Sequence, residues 1–125
     1  MQLTECCPVE ATLDLIGGKY KALILWHLSD GTLRFSQLRK VVSSATAKML
    51  TQQLRELEAQ ALVHREVFPE VPPHVEYSLT DLGQSLIPIL MAMRDWGAGY
   101  LRNNKHLETC CFMMSKDPSP SANQA

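Results

Sequence analysis

Apolar residues recur along this chain with two periods, one helical and one strand-like. In the opening run PVEATLDLIG, Val9, Leu13 and Ile16 fall at helical spacing. Pro8 suits the first turn of a helix, and the Gly17-Gly18 pair ends it. Lys19 to Leu28 forms a second helical run, with Leu23, Ile24, Trp26 and Leu28 mostly inward. Ser29-Asp30-Gly31 is a turn signal. Thr32 to Arg34 reads as a very short strand, and Phe35-Ser36-Gln37-Leu38 opens a short third helix. Thr46 is placed to cap a fourth helix. Ala47, Leu50, Leu54, Leu57 and Ala61 share one stripe of it. At about 100° per residue, Lys48, Gln52 and Arg55 lie roughly opposite, with Thr51 on the flank. A stable helix needs the first set. Nothing in folding requires the second to be basic and amide-bearing.

The period then changes. Leu62 to Phe68 and Val75 to Leu79 are rich in β-branched and aromatic residues. Pro69, Pro72 and Pro73 between them cannot sit in a central ladder, so they mark a hairpin tip. Thr80 caps a long helix expected from Asp81 to about Arg102, kinked at Pro88. Leu82, Leu86, Ile89, Leu90, Met93, Trp96 and Tyr100 give it a wide apolar face. Residues 1–114 read as one domain and the polar, Pro/Ser-rich residues 115–125 as a disordered tail. The fold class is mainly α with a small β-hairpin (α+β). Helix, hairpin wing, helix is the DNA-reading half of a winged helix-turn-helix.

Net charge of −1 argues by itself against a nucleic-acid partner, but its distribution does not. From Arg34 to Arg65 six basic residues face two acids, a net +4; the remainder has six against eleven, a net −5. A basic middle in an acidic remainder suggests one face built for a polyanion, although chance clustering gives the same count. No apolar run reaches bilayer length and no signal segment opens the chain, so a cytoplasmic protein is expected. A glycine-rich phosphate loop, a nucleophile elbow and a carboxylate pair in an apolar setting are all missing, which disfavours an enzyme.

The segments Cys7-Pro8-Val9 with LDLIGGKYKALIL, then RFSQLRK, KMLTQQLRELEAQALVHREVFPEVPPHVEYSLTDLG and MRDWG resemble the HxlR-type branch of the MarR-like winged-helix regulators. The likeness runs from Cys7 to Gly97 in order and spacing. It implies a homodimeric, site-specific regulator that binds double-stranded DNA at a pseudo-palindromic operator. The fourth helix would then be the recognition helix, and the terminal helices would form the dimer. Two departures stand out. The turn SSATAK lacks the family's usual Pro-Gly, and His74 replaces a wing Arg or Lys.

On this reading Lys48 and Arg55 reach phosphates or guanine acceptors, Gln52 pairs with adenine, and Thr51 donates to a phosphate or touches a thymine methyl. Thr46 begins the same helix. Arg34, Arg39 and Lys40 clamp the backbone around the third helix, and Arg65 and His74 serve the wing. Solvated surface charge is the competing account of all of them. Glu70, at the same tip, is an unfavourable neighbour for DNA.

Four cysteines occur as Cys6-Cys7 and Cys110-Cys111, without C-x-x-C spacing. Cys7 precedes Pro8 at a helix start, where the thiolate is favoured. Several members of the resembled family switch through a cysteine at this position. Cys7 is therefore a candidate sensor of an oxidant or small electrophile, with Cys6 as resolving thiol. An inert, partly buried cysteine is the equal alternative. A metal site from Cys6, Cys7, Cys110, Cys111 and His106 is disfavoured, because adjacent cysteines seldom both ligate one ion. No metal or cofactor is expected. Ile89, Met93, Trp96 and Tyr100 read most simply as a dimer seam and otherwise as the wall of a ligand pocket. A small-ligand-gated regulator and a winged-helix module that binds protein rather than DNA remain the alternatives.

Overall fold

The computed structural model describes residues 7–104. Its elements run α1 (Pro8–Ile16), α2 (Lys21–Leu28), β1 (Leu33–Arg34), α3 (Phe35–Val41), α4 (Ala47–Ala59), β2 (Val63–Phe68), β3 (His74–Leu79), α5 (Asp81–Gln84) and α6 (Ile87–Asn103). Packing divides the chain after Ile87 into two compact units.

The first unit holds the wing and the helices before it. Its start is fixed by a reciprocal cap. Cys7 Sγ accepts the Glu10 backbone N–H at 3.4 Å, and the Glu10 carboxylate accepts that of Cys7 at 3.3 Å. The core is an aliphatic cluster drawn from α2, α3 and α4, including Ile24, Leu25, Leu28, Leu38, Leu50 and Leu54, all essentially inaccessible to water. Each such burial stabilises the fold by roughly 2 kcal/mol. Leu25 joins this core, whereas Leu23 and Trp26 are only half-buried. A chain turning 100° per residue puts 21, 24, 25 and 28 on one face, and that face turned inward.

Thr46 caps α4 by accepting the Met49 N–H at 3.1 Å. Leu50, Leu54 and Leu57 bury as the stripe predicts. Ala61 does not extend that stripe. It lies outside the helix, exposed, with φ 63. Leu62 N–H bonds Leu57 O at 3.0 Å and Ala61 N–H bonds Glu58 O at 3.0 Å, a Schellman closure with alanine where glycine is usual.

The expected hairpin is the larger part of a three-stranded antiparallel sheet in the order β1-β3-β2. The register sets Val63 against Leu79, Arg65 against Tyr77 and Phe68 against His74, with Leu33 also against Tyr77 and Arg34 against Glu76. The prolines fall at the tip, outside both strands.

The long helix expected from Asp81 to Arg102 is two helices. Thr80 caps α5 by accepting the Gly83 N–H at 3.0 Å. α5 ends after Gln84, and Leu86 N–H bonds Gly83 O in a tighter turn. Pro88 has no N–H to donate back to Gln84, so it becomes the second residue of a new helix rather than a kink in an old one. Leu82 is consequently exposed.

The second unit is described through α6. Trp96 and Tyr100 stack along it, ring centroids 5.5 Å apart. Ile89, Met93, Trp96 and Tyr100 are all exposed, Trp96 by 72%. Among the described residues no helix is long and apolar enough to cross a membrane.

Candidate nucleic-acid interface

Burial of Leu50, Leu54 and Leu57 fixes the rotation of α4 about its axis. Lys48, Gln52 and Arg55 are left exposed on the other side, and Thr51 half-exposed beside them. α4 therefore has two chemically different faces, as a helix that lies in a major groove requires.

The wing stands beside it. A groove of about 340 Å³ runs between them, lined by Thr51, Leu54, Arg55 and Glu58 of α4, Arg65 of β2 and Tyr77 of β3. Two guanidinium groups thus share one cleft with a threonine and a tyrosine. Glu58 is the one carboxylate in that lining.

Side chains alternate across a sheet, so the register decides which wing residues can join this cleft. Arg65 pairs with Tyr77 and shares its face. Arg34 pairs with Glu76, which pairs with Glu66, so these lie on the opposite face. His74 is on that face too. It stacks on Phe68 at 4.8 Å, with Nε2 3.0 Å from Glu76 and Nδ1 3.4 Å from Glu70. The structure therefore brings Thr51, Arg55 and Arg65 into one cleft, with Lys48 and Gln52 exposed on the same helix. It sets Arg34 and His74 among carboxylates on the opposite face of the sheet. Arg39 and Lys40 are exposed in the last turn of α3, and Thr46 is spent on its cap.

Sequence reasoning missed what holds α4 in place. The GGKYK segment between α1 and α2 ties to it at several points. Tyr20 N–H donates to Gln53 Oε1 at 3.4 Å, and the buried Tyr20 hydroxyl donates to Ser44 O at 3.1 Å. That second bond pins the SSATAK turn, so the missing Pro-Gly is replaced by a tether from a distant aromatic. A Cβ at Gly18 would lie 2.7 Å from Gln53 Oε1, the movable end of the side chain that takes the Tyr20 N–H. Lys21, only 5% exposed, places Nζ 2.8 Å from Glu56 Oε1. The Lys21 hydrogen bond, then its charge, hold the Glu56 carboxyl below the ordinary glutamate range. The signal for Lys21 was present: a lysine at the head of the 21, 24, 25, 28 stripe points inward and needs an acid.

Cys7 is an exposed free thiol at the N-terminus of α1. Cys6, Cys110, Cys111, His106 and the 115–125 tail lie outside the described residues.

Known proteins are similar to this chain. The YdeP protein of Bacillus subtilis (strain 168), described as an uncharacterized HTH-type transcriptional regulator, is 55% identical over 96 residues, 77% of this chain and 75% of YdeP. Two solved structures of the redox regulator HypR are similar. The oxidized form matches at 55% identity with a TM-score of 0.72, covering 74% of this chain and 96% of that one. The reduced form matches at 50% with 0.74, covering 82% and 100%. The model of the HxlR-like helix-turn-helix family matches residues 15–105. Those residues include α2 to α6, hence the capped helix, its buried tether and the wing, and the chain belongs to the HxlR-like helix-turn-helix family of transcriptional regulators.

Proposed function

We propose that this protein is a homodimeric repressor that binds a pseudo-palindromic operator and leaves it when Cys7 is oxidised or modified by an electrophile. The observation that carries the DNA-binding part is the division of α4 into a buried aliphatic face and an exposed Lys48-Gln52-Arg55 face beside Arg65. Lys48, Arg55 and Arg65 meet phosphates, joined by Arg39 and Lys40 from α3. Gln52 and Thr51 meet base edges. Arg34 and His74 contribute only where the duplex reaches the far side of the wing.

Dimerisation is supported by the bare apolar residues of α6. A 72%-exposed indole stacked on an exposed tyrosine is costly to leave in water. A two-fold dimer sets its recognition helices about one helical turn apart. Val9 and Leu13 of α1 are exposed as well, which gives the first unit bare apolar residues of its own.

The switch is supported by the exposure of Cys7 and by its Sγ serving as a helix cap. It is also supported by likeness to a protein described as a redox regulator, solved in two oxidation states. Oxidation joins Cys7 to a thiol of the other chain or to Cys110 or Cys111, because a bond to the adjacent Cys6 of the same chain is strained. Two protons and two electrons pass to the oxidant, and the bonded sulfur is drawn from its cap.

The test is anisotropy of a labelled duplex from upstream of this gene, titrated with reduced and then mildly oxidised protein. Affinity should fall steeply with salt, the logarithmic slope changing by about 0.9 for each phosphate contact. Oxidation should release the duplex, and Cys7→Ser should not respond. A flat salt response rules out the DNA-binding reading. Oxidation-insensitive binding rules out the switch alone.

A further inference from the structure

A carboxylate links the exposed face of α4 to the core. Glu56 Oε1 takes the Lys21 ammonium at 2.8 Å. Its other oxygen, Oε2, lies 3.5 Å from Nε2 of Gln52, one helical turn earlier. The Lys21 side chain is 7% exposed and that of Glu56 43%, so the packed ammonium anchors one oxygen of a half-exposed carboxylate. Held in its charged form, a carboxylate has acceptors only. It receives the amino edge of the Gln52 amide and repels the carbonyl edge.

We propose that the Lys21–Glu56 pair sets base specificity by fixing the flip of the Gln52 amide, so that Gln52 selects adenine over guanine. The inference rests on the reading above that α4 enters the major groove. Adenine presents there an acceptor at N7 and a donor at N6, whereas guanine presents acceptors at both N7 and O6. With one Nε2 hydrogen turned to Glu56, Gln52 offers one remaining N–H and its carbonyl oxygen. That pattern complements adenine. Against guanine it sets the carbonyl oxygen facing O6. An amide released from Glu56 is free to turn its whole amino edge to the base and accept guanine. Lys21 and Glu56 are positioning residues, acting on DNA only through Gln52.

The experiment uses the full chain. Selection from randomised duplexes defines the preferred site for the wild type and for Gln52→Ala, and the base pair whose preference differs is the one Gln52 reads. Anisotropy then compares duplexes that differ only there. The test variant is Lys21→Met/Glu56→Met. It removes both charges together, so it leaves no orphaned buried ion and no change in net charge. Glu56→Gln is the second variant, keeping the shape while offering Gln52 either edge. Wild type should prefer adenine by about tenfold or more, the range of a bidentate pair. Both variants should bring the adenine-to-guanine ratio to within about threefold, and the charge-neutral double variant should do so with unchanged salt slope and unchanged affinity for non-specific duplex. Adding Gln52→Ala to the double variant should cost no further discrimination.

Full wild-type preference retained by either folded variant overturns the proposal, and so does a wild-type preference for guanine at that pair. If Gln52→Ala alters no position while salt-dependent binding persists, the proposal falls and the DNA-binding reading stands. If the wild type binds no duplex, both fall.

Discussion

Gly83 sits where two simple rules give opposite signs. It is the third residue of α5, and alanine in a helix is favoured over glycine by about 1 kcal/mol. Propensity alone therefore makes Gly83→Ala stabilising. The structure says otherwise, because a Cβ at Gly83 would drive into the carbonyl oxygen of Leu62. That oxygen is backbone, and it is already held: it accepts the Thr80 N–H at 3.1 Å. Thr80 also donates its hydroxyl to Ala61 O at 2.6 Å while accepting the Gly83 N–H. The clash cannot be relieved without moving this corner. Overpacking of this kind costs about 1–3 kcal/mol, and each hydrogen bond opened adds about 1 kcal/mol. Against these the propensity gain is small in a helix of only 4 residues. The net expectation is a loss of about 2–3 kcal/mol, or a fall in Tm of roughly 8–12 °C. Urea unfolding followed by circular dichroism, at one fixed protein concentration, measures it. A midpoint for Gly83→Ala at or above that of the wild type would refute the close approach of α5 to the α4–β2 corner.

Other substitutions test neighbouring parts of the argument. Ala61→Gly should raise stability by about 1 kcal/mol in the same urea assay, because Ala61 holds the left-handed φ of 63 that glycine adopts without a steric penalty. Thr46→Ala removes the cap of α4 and should lower stability by about 1 kcal/mol; differential scanning calorimetry reads the shift. Glu56 titrates below the usual 4.5 in the folded chain, so the unfolded chain binds its proton first as pH falls. Its stabilising contribution is complete above 4.5 and is lost as pH drops through the lowered folded value. Acid unfolding of Lys21→Met/Glu56→Met should therefore be shallower than that of the wild type in this window, and identical acid curves would count against the pair.

The elements and the two faces of α4 were readable because periodicity reports burial directly. Leu50, Leu54 and Leu57 announce the buried side, and Lys48, Gln52 and Arg55 are left over by subtraction. The break between α5 and α6 was misjudged for a local reason. The apolar pattern runs on through Leu82, Leu86 and Ile89, but Pro88 has no N–H for the continuous helix, and the chain resolves the conflict by starting again. The sequence groups Arg34 with Arg39 and Lys40 and groups His74 with Arg65, because a linear reading has no register. Only the pairing of Arg34 with Glu76 and of Arg65 with Tyr77 shows that they point to opposite faces. The Tyr20 tether to Ser44 spans 24 residues, and no local pattern encodes it.

The ties from Tyr20 and Lys21 have a mechanical consequence. Adjacent residues at the head of α2 grip Gln53 and Glu56, which are one turn apart on α4, while the Tyr20 hydroxyl holds the turn before it. Helix α4 can neither roll about its own axis nor slide along α2 without breaking these contacts. α2 and α4 move as a block. Under the proposed function, an inducing signal is then confined to altering the distance and angle between two such blocks. It changes which half-site spacing is tolerated and leaves the letters read within each half-site as they were.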